Sequence, residues 1–235
     1  MIFTQSEFEI RCEWGEEGLS RLAPISDAVI IVDIMSFSTC VTMAVNAGAT
    51  VYPHQFRDDN AQARATELGA ELAKARGAGL YSLSPATALK LQPGMKLVLP
   101  SRNGAVLSLG TGDTPTFAGC FRNASSVAAA ASTCGKSIAV IPAGERWEPG
   151  EGLRPAIEDW IGAGAIISFL AGTRSPESEL ALQAFESVRS RLHETLSACS
   201  SGKELISKGY SSDIDLIAAF NTDPVAPRLI NGCYT

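Results

Sequence analysis

The chain has 235 residues, 46% of them hydrophobic, and a formal net charge of −6. That length and oil content suit one large α/β domain over residues 1–235, or two closely packed lobes within it, and exclude disorder as the default. The acidic balance argues against nucleic acid or an anionic membrane as the main partner, but a local basic pocket for a small anion is compatible with it.

In chain order, residues 8–12 alternate apolar and polar, as in a strand, and Trp14 to Gly18 reads as a loop. Residues 28–32 (Ala-Val-Ile-Ile-Val) form a continuous β-branched run, the mark of a strand buried on both faces. It ends in Asp33, then in the hydroxyls of Ser36, Ser38 and Thr39, before a helix over 41–46 that stops at Gly48. A strand over 50–56 carries Pro53, which suggests an irregularity or an edge. Asp58 or Asp59 caps a helix predicted over 60–76. A short strand follows at 80–83, then a short helix opened by Ser84-Pro85.

Residues 95–99 form a strand that empties into the polar loop Pro100-Ser101-Arg102-Asn103-Gly104. Further strands are expected at 116–119 and 137–143, with an Ala-rich helix over 125–132 between them. A Gly-rich loop over 147–152 precedes a helix carrying Glu158 and Asp159. One stripe of Ala181, Phe185, Val188, Leu192, Leu196 and Cys199 predicts a structural helix over 177–199. Asp213 caps a last helix, and Pro224 and Pro227 frame an extended end. Strands alternate with helices throughout, so the fold class is α/β, with helices on both faces of a parallel or mixed sheet.

The first residues lack the basic start and long apolar core of a secretory peptide, and the oiliest run, 163–171, is too short for a bilayer. The expectation is a cytoplasmic protein with no membrane partner. Six scattered cysteines without a C-x-x-C pair read as reduced thiols. The oily stretch 157–171 suits either the core or the interface of a homodimer. No P-loop, dinucleotide fingerprint, nucleophile elbow or cysteine-phosphatase signature is present. What stands at the strand ends is acids, hydroxyls and asparagines. Asp33, Glu158 and Asp159 are oxygen ligands suited to a hard divalent cation, and Asn103 and Asn123 suit an oxyanion. Each also has a structural reading, as a cap or turn residue.

At these residues the chain resembles the 2-phosphosulfolactate phosphatase (ComB-like) family. Val32-Asp33-Ile34-Met35-Ser36-Phe37-Ser38-Thr39 is similar to that family's D-V-L-R-A-T-T-T segment, and Leu99 to Gly104 to its T-T-T-N-G-T loop. Gly119 to Ala124 resembles its G-S-x-x-N-A turn. Ala143-Gly144, with Glu158-Asp159 and Gly162-Ala163-Gly164, resembles its A-G…E-D-x-x-G-A-G block. The resemblance implies a three-layer α/β/α fold with a mixed, largely parallel sheet, and a Mg²⁺-dependent phosphatase that releases phosphate from a small anionic ester, 2-phosphosulfolactate in the family reaction. It implies Asp33, Glu158 and Asp159 as metal ligands and Asp33, Arg102, Asn103 and Asn123 as catalytic. Ser36, Ser38, Ser101, Gly104 and Gly144 would line the substrate.

The chain departs from the pattern where Ser36 replaces the family's arginine and Arg102 its threonine. Arg102 is therefore expected to bring the absent charge to Asp33. The family's glycine-rich G-E-R-G-G and G-N-S-P segments read Lys74 to Gly79 and Ser82 to Pro85 here. These departures keep open a phosphatase for another small ester and a relative that binds such a metabolite without turning it over. Direct attack by Asp33 through an aspartyl phosphate stays open beside a metal-assisted water.

Overall fold

The computed structural model describes residues 2–147 and 152–235. The strands are β1 (Ile10–Cys12), β2 (Ala28–Val32), β3 (Thr50–His54), β4 (Glu71–Leu72), β5 (Lys96–Pro100), β6 (Thr116–Ala118), β7 (Ile138–Pro142), β8 (Glu145–Arg146), β9 (Leu153–Arg154), β10 (Leu229–Ile230) and β11 (Cys233–Tyr234). The helices are α1 (Gly15–Leu22), α2 (Phe37–Asn46), α3 (Asp59–Leu68), α4 (Pro85–Ala88), α5 (Gly104–Leu109), α6 (Ala124–Ser132), α7 (Ile157–Ile167), α8 (Pro176–Val188), α9 (Leu192–Ala198), α10 (Ser200–Ser207) and α11 (Ser211–Ile217).

The first sheet has the order β1-β7-β2-β6 and is parallel throughout. Its central strand is the apolar run 28–32, and successive side chains go to opposite faces. Ala28, Ile30 and Val32 join a core with α6, α7 and α8, while Val29 and Ile31 join Leu19 and Leu22 of α1 and Leu107 of α5. That alternation produces the α/β/α layering. The second sheet has the order β10-β11-β3-β5-β4; β3, β5 and β4 run parallel and the terminal hairpin joins antiparallel. The strands thus divide between two sheets. A separate antiparallel pair, β8-β9, follows the first sheet's β7. Among the described residues no helix is long and apolar enough to cross a membrane.

Several elements differ from the sequence expectation. Residues from Gly15 open a helix and not a loop, because Leu19 and Leu22 bury one face of it. α2 begins at Phe37, which takes Ser38 and Thr39 into its first turn. Asp58 caps α3 as expected, accepting from Ala61 N at 2.9 Å. That helix ends at Leu68 and not at Arg76, because Gly69 takes the left-handed conformation (φ 60°) and the chain turns into β4. Residues 80–83 form no named strand and make only the bridge Lys74–Ser82. The long helix over 177–199 breaks at Val188 into α8, a 3₁₀ turn and α9. Asp213 is buried inside α11 and is not its cap. Of the expected loop over 147–152, residues 148–151 lie outside the described residues.

Candidate active site

Parallel strands deliver their carboxyl ends to one side of a sheet, where the following loops are free to carry chemistry. Here the ends of β2, β5 and β7 converge. Asp33 follows β2 and is 5% exposed. Its Oδ1 accepts from Phe37 N at 3.0 Å, and its Oδ2 accepts from Gly104 N at 2.8 Å and from the Ser101 hydroxyl at 3.4 Å. The loop after β5 is therefore pinned to the end of β2. The absent side chain at Gly104 permits this approach: a Cβ there would lie 2.8 Å from Asp33 Oδ2 and 2.3 Å from the Phe37 ring.

Asp159 comes from the first turn of α7 and ties the third strand end into the cluster. Its Oδ1 accepts from Ile34 N at 2.7 Å and its Oδ2 from Gly144 N at 2.8 Å. Glu158, beside it, is also buried. Cys199 packs on this carboxylate, and burial together with the Glu158 charge pushes the Cys199 thiol up to about 11. Glu145, which the sequence reading passed over, stands after β7 and accepts from Asn103 Nδ2 at 2.9 Å. Burial first, then the charge of Asp33, raises its carboxyl to about 7. Burial likewise raises Asp33, against the lowering effect of the amides that bond it. Asp159 is raised further, by burial and then by Glu158 and Asp33.

The other residues named from the sequence take varied places. Ser101 and Asn103 lie in the cluster, and Gly104 and Gly144 supply amides to its acids. Ser38 is fully buried and serves the backbone, accepting from Asp33 N and donating to Ile31 O, both at 3.0 Å. Asn123 is fully buried as well. Its Oδ1 accepts from Cys120 N at 2.9 Å, and its Nδ2 donates to Ala118 O and Val225 O, each at 3.2 Å. Its amide is thus engaged by backbone, as a structural clamp would be. Arg102 is exposed in the wall of the cavity that holds Asp33.

The guanidinium that touches Ser36 belongs to Arg76, whose Nη2 donates to Ser36 Oγ at 3.0 Å. Arg76 also pairs with buried Asp213 and lies over the Tyr210 ring, 5.0 Å from its centroid. Asp213 in turn accepts from Ser84 Oγ at 2.7 Å. The sequence reading had Asp213 as a helix cap and Arg76 within the segment compared with the family's G-E-R-G-G, and paired neither with the other or with Ser36.

The donor set can be weighed for a divalent cation. It consists of carboxylate oxygens that repel one another, which suits a hard ion. Yet among the described residues no three His, Cys, Asp or Glu side chains are disposed to hold a metal ion. The expected trio of Asp33, Glu158 and Asp159 is not a ready-made cage: Asp33 and Asp159 each give both oxygens to backbone amides, and of the three it is Asp33 that lines the cavity. What the site offers is one or two carboxylates, the number by which Mg²⁺ is ordinarily bound when water and substrate complete its shell.

A cavity of about 550 Å³ opens over this floor, lined by Asp33, Ser101, Arg102, Asn103 and Glu145, with Gln55, Phe56 and Arg57 from the loop after β3. Acids below and arginines at the exposed edge define an α/β enzyme site for a small anionic molecule. The family model described as 2-phosphosulpholactate phosphatase matches residues 17–232. The chain belongs to this family, and is accordingly a phosphoric monoester hydrolase. No curated protein matches it.

Proposed function

We propose that the chain is a Mg²⁺-dependent phosphatase that hydrolyses 2-phosphosulpholactate to 3-sulpholactate and phosphate. What carries the reading is the meeting of Asp33 after β2, Glu145 after β7 and Asp159 of α7 where the ends of β2, β5 and β7 converge, with Asp33 and Glu145 lining one cavity, in a chain of this family.

Asp33 and Glu158 would hold the ion. When bound, Mg²⁺ supplies neutralisation of the phosphoryl charge and a more acidic water. Asp159 acts from behind, fixing the Ile34 and Gly144 amides so that the loops after β2 and β7 keep their spacing. The Ser101 hydroxyl and the Asn103 amide line the cavity, where they can hydrogen-bond phosphoryl oxygens. Glu145, oriented by Asn103, is placed to give a proton to the departing ester oxygen. Both oxygens of Asp33 already accept hydrogen bonds from backbone amides, which weakens them as nucleophiles toward phosphorus and leaves each a further lone pair for an ion.

The test is phosphate release from 2-phosphosulpholactate in Mg²⁺ and in EDTA, with Asp33→Asn as the variant. Release that needs Mg²⁺ and disappears in Asp33→Asn is expected. A folded wild-type protein that releases nothing would overturn the assignment in favour of a binding role, and full release in EDTA would overturn the metal requirement.

A further inference from the structure

The acids of the floor raise a question of charge. A substrate of the proposed class carries anionic groups besides its phosphate, and uncompensated carboxylates repel them. The tail must therefore be received elsewhere in the cavity, by cations that are not already spent. Several arginines of the molecule are already spent: Arg76 is paired with Asp213, Arg122 with Asp223 and Arg146 with Glu16. Two that line the cavity, Arg57 and Arg102, are exposed and have no hydrogen-bond or ion-pair partner among the described residues.

These two are brought together by the second sheet. β3 and β5 are parallel neighbours with His54 opposite Pro100, so Arg57 lies three residues past one strand end and Arg102 two past the next. Ser101 N donates to His54 O at 2.9 Å, which joins the two loops at their base. The His54 ring bonds Phe56 O at 2.8 Å, which shapes the loop that carries Arg57. The result is two guanidinium groups on adjoining loops, at the edge of the cavity whose floor holds Asp33.

Resting on the phosphatase reading, we propose that Arg57, together with Arg102, binds the acidic tail of the substrate, its sulfonate and carboxylate, and so selects phosphoesters that bear further negative groups. A planar fork of donors suits such oxyanions. Because the tail does not react, the contact is made equally in the ground and transition states. Its loss is expected mainly in KM.

The experiment crosses two enzymes with two esters, comparing wild type and Arg57→Ala on 2-phosphosulpholactate and on isopropyl phosphate, which has the phosphate but no acidic tail. For the tailed ester, Arg57→Ala is expected to lower kcat/KM by about 10–100-fold, mainly through KM. Isopropyl phosphate should be hydrolysed within about twofold of wild type, since no charged contact is removed. Arg57→Lys should recover part of the loss. An equal loss on both esters, or none on either, overturns the proposal. If the wild type hydrolyses neither ester, the phosphatase reading has failed, and calorimetric binding of 3-sulpholactate then decides for Arg57. Weaker binding by Arg57→Ala would uphold its role in holding the tail, and unchanged binding would overturn it.

Discussion

Asp33 holds two helices at once. One oxygen receives the Phe37 amide at the start of α2, the other receives the Gly104 amide at the start of α5, and these positive helix ends offset part of the cost of burying the acid. Glu145 has less support, one side-chain amide from Asn103. Its carboxyl moves from an ordinary 4.5 to about 7, so between those values the folded chain keeps a proton that the unfolded chain releases. Stability of the metal-free protein must then fall as pH rises from 4.5 to 7. Above 7 the full cost applies, about 3 kcal/mol at 1.36 kcal/mol for each pH unit of displacement. Below 4.5 both states are protonated and the effect vanishes. Glu145→Gln should flatten this part of the profile, read as Tm by calorimetry in EDTA between pH 5 and pH 8. An unaltered slope would mean that Glu145 stays hydrated.

Helices α7 and α8 pack so closely that one position has no room for a methyl group. A Cβ on Gly164 would lie 1.9 Å from Ala181 O and 3.0 Å from Phe185 Cβ, both on α8. Gly162, one half-turn away, faces Ile34 and Val32 instead. Alanine is the better helix former by roughly 1 kcal/mol, yet Gly164→Ala must push two backbones apart. We expect a net loss of about 1–3 kcal/mol, measured as a lower urea midpoint with an unchanged slope. A neutral or stabilising result would show that the helices separate at little cost.

Elements of this kind also show what the sequence could reveal. In the first sheet β2 and β7 were legible as apolar, largely β-branched runs, and β1 from its alternation of apolar and polar residues. The six-residue α5 was not, since Asn103-Gly104 reads as a turn and the helix is too short for a periodic stripe. The terminal hairpin was missed although Asn231-Gly232, both at positive φ, is a strong turn signal. Asp33, Asp159, Asn103 and Gly104 were legible from their places after strands or in a first helical turn. Arg76 and Asp213, 137 positions apart, meet only through the fold. Glu145 was in plain view, but its distinction lies in burial, which no local pattern encodes.

Across the whole molecule the two sheets are joined by α2. Its residues from Phe37 to Ala44 are all buried, and it packs on β3 of one sheet and β6 of the other. Phe37 meets Tyr234 edge-on in the second sheet, and Thr42 accepts from the Cys120 thiol just past the end of the first. With no solvent face over these eight residues, the helix has little means of opening locally. Its amides should therefore exchange with deuterium only when the entire chain unfolds, giving Cys40 to Ala44 protection equal to the global stability. Faster exchange there than in β2 or β7 would reveal an independent opening of the second sheet. Because this helix begins four residues after Asp33, the principal acid of the site stands beside backbone expected to open only with the whole chain. Partial unfolding at the periphery then lowers the number of active molecules without altering the geometry of those that remain folded.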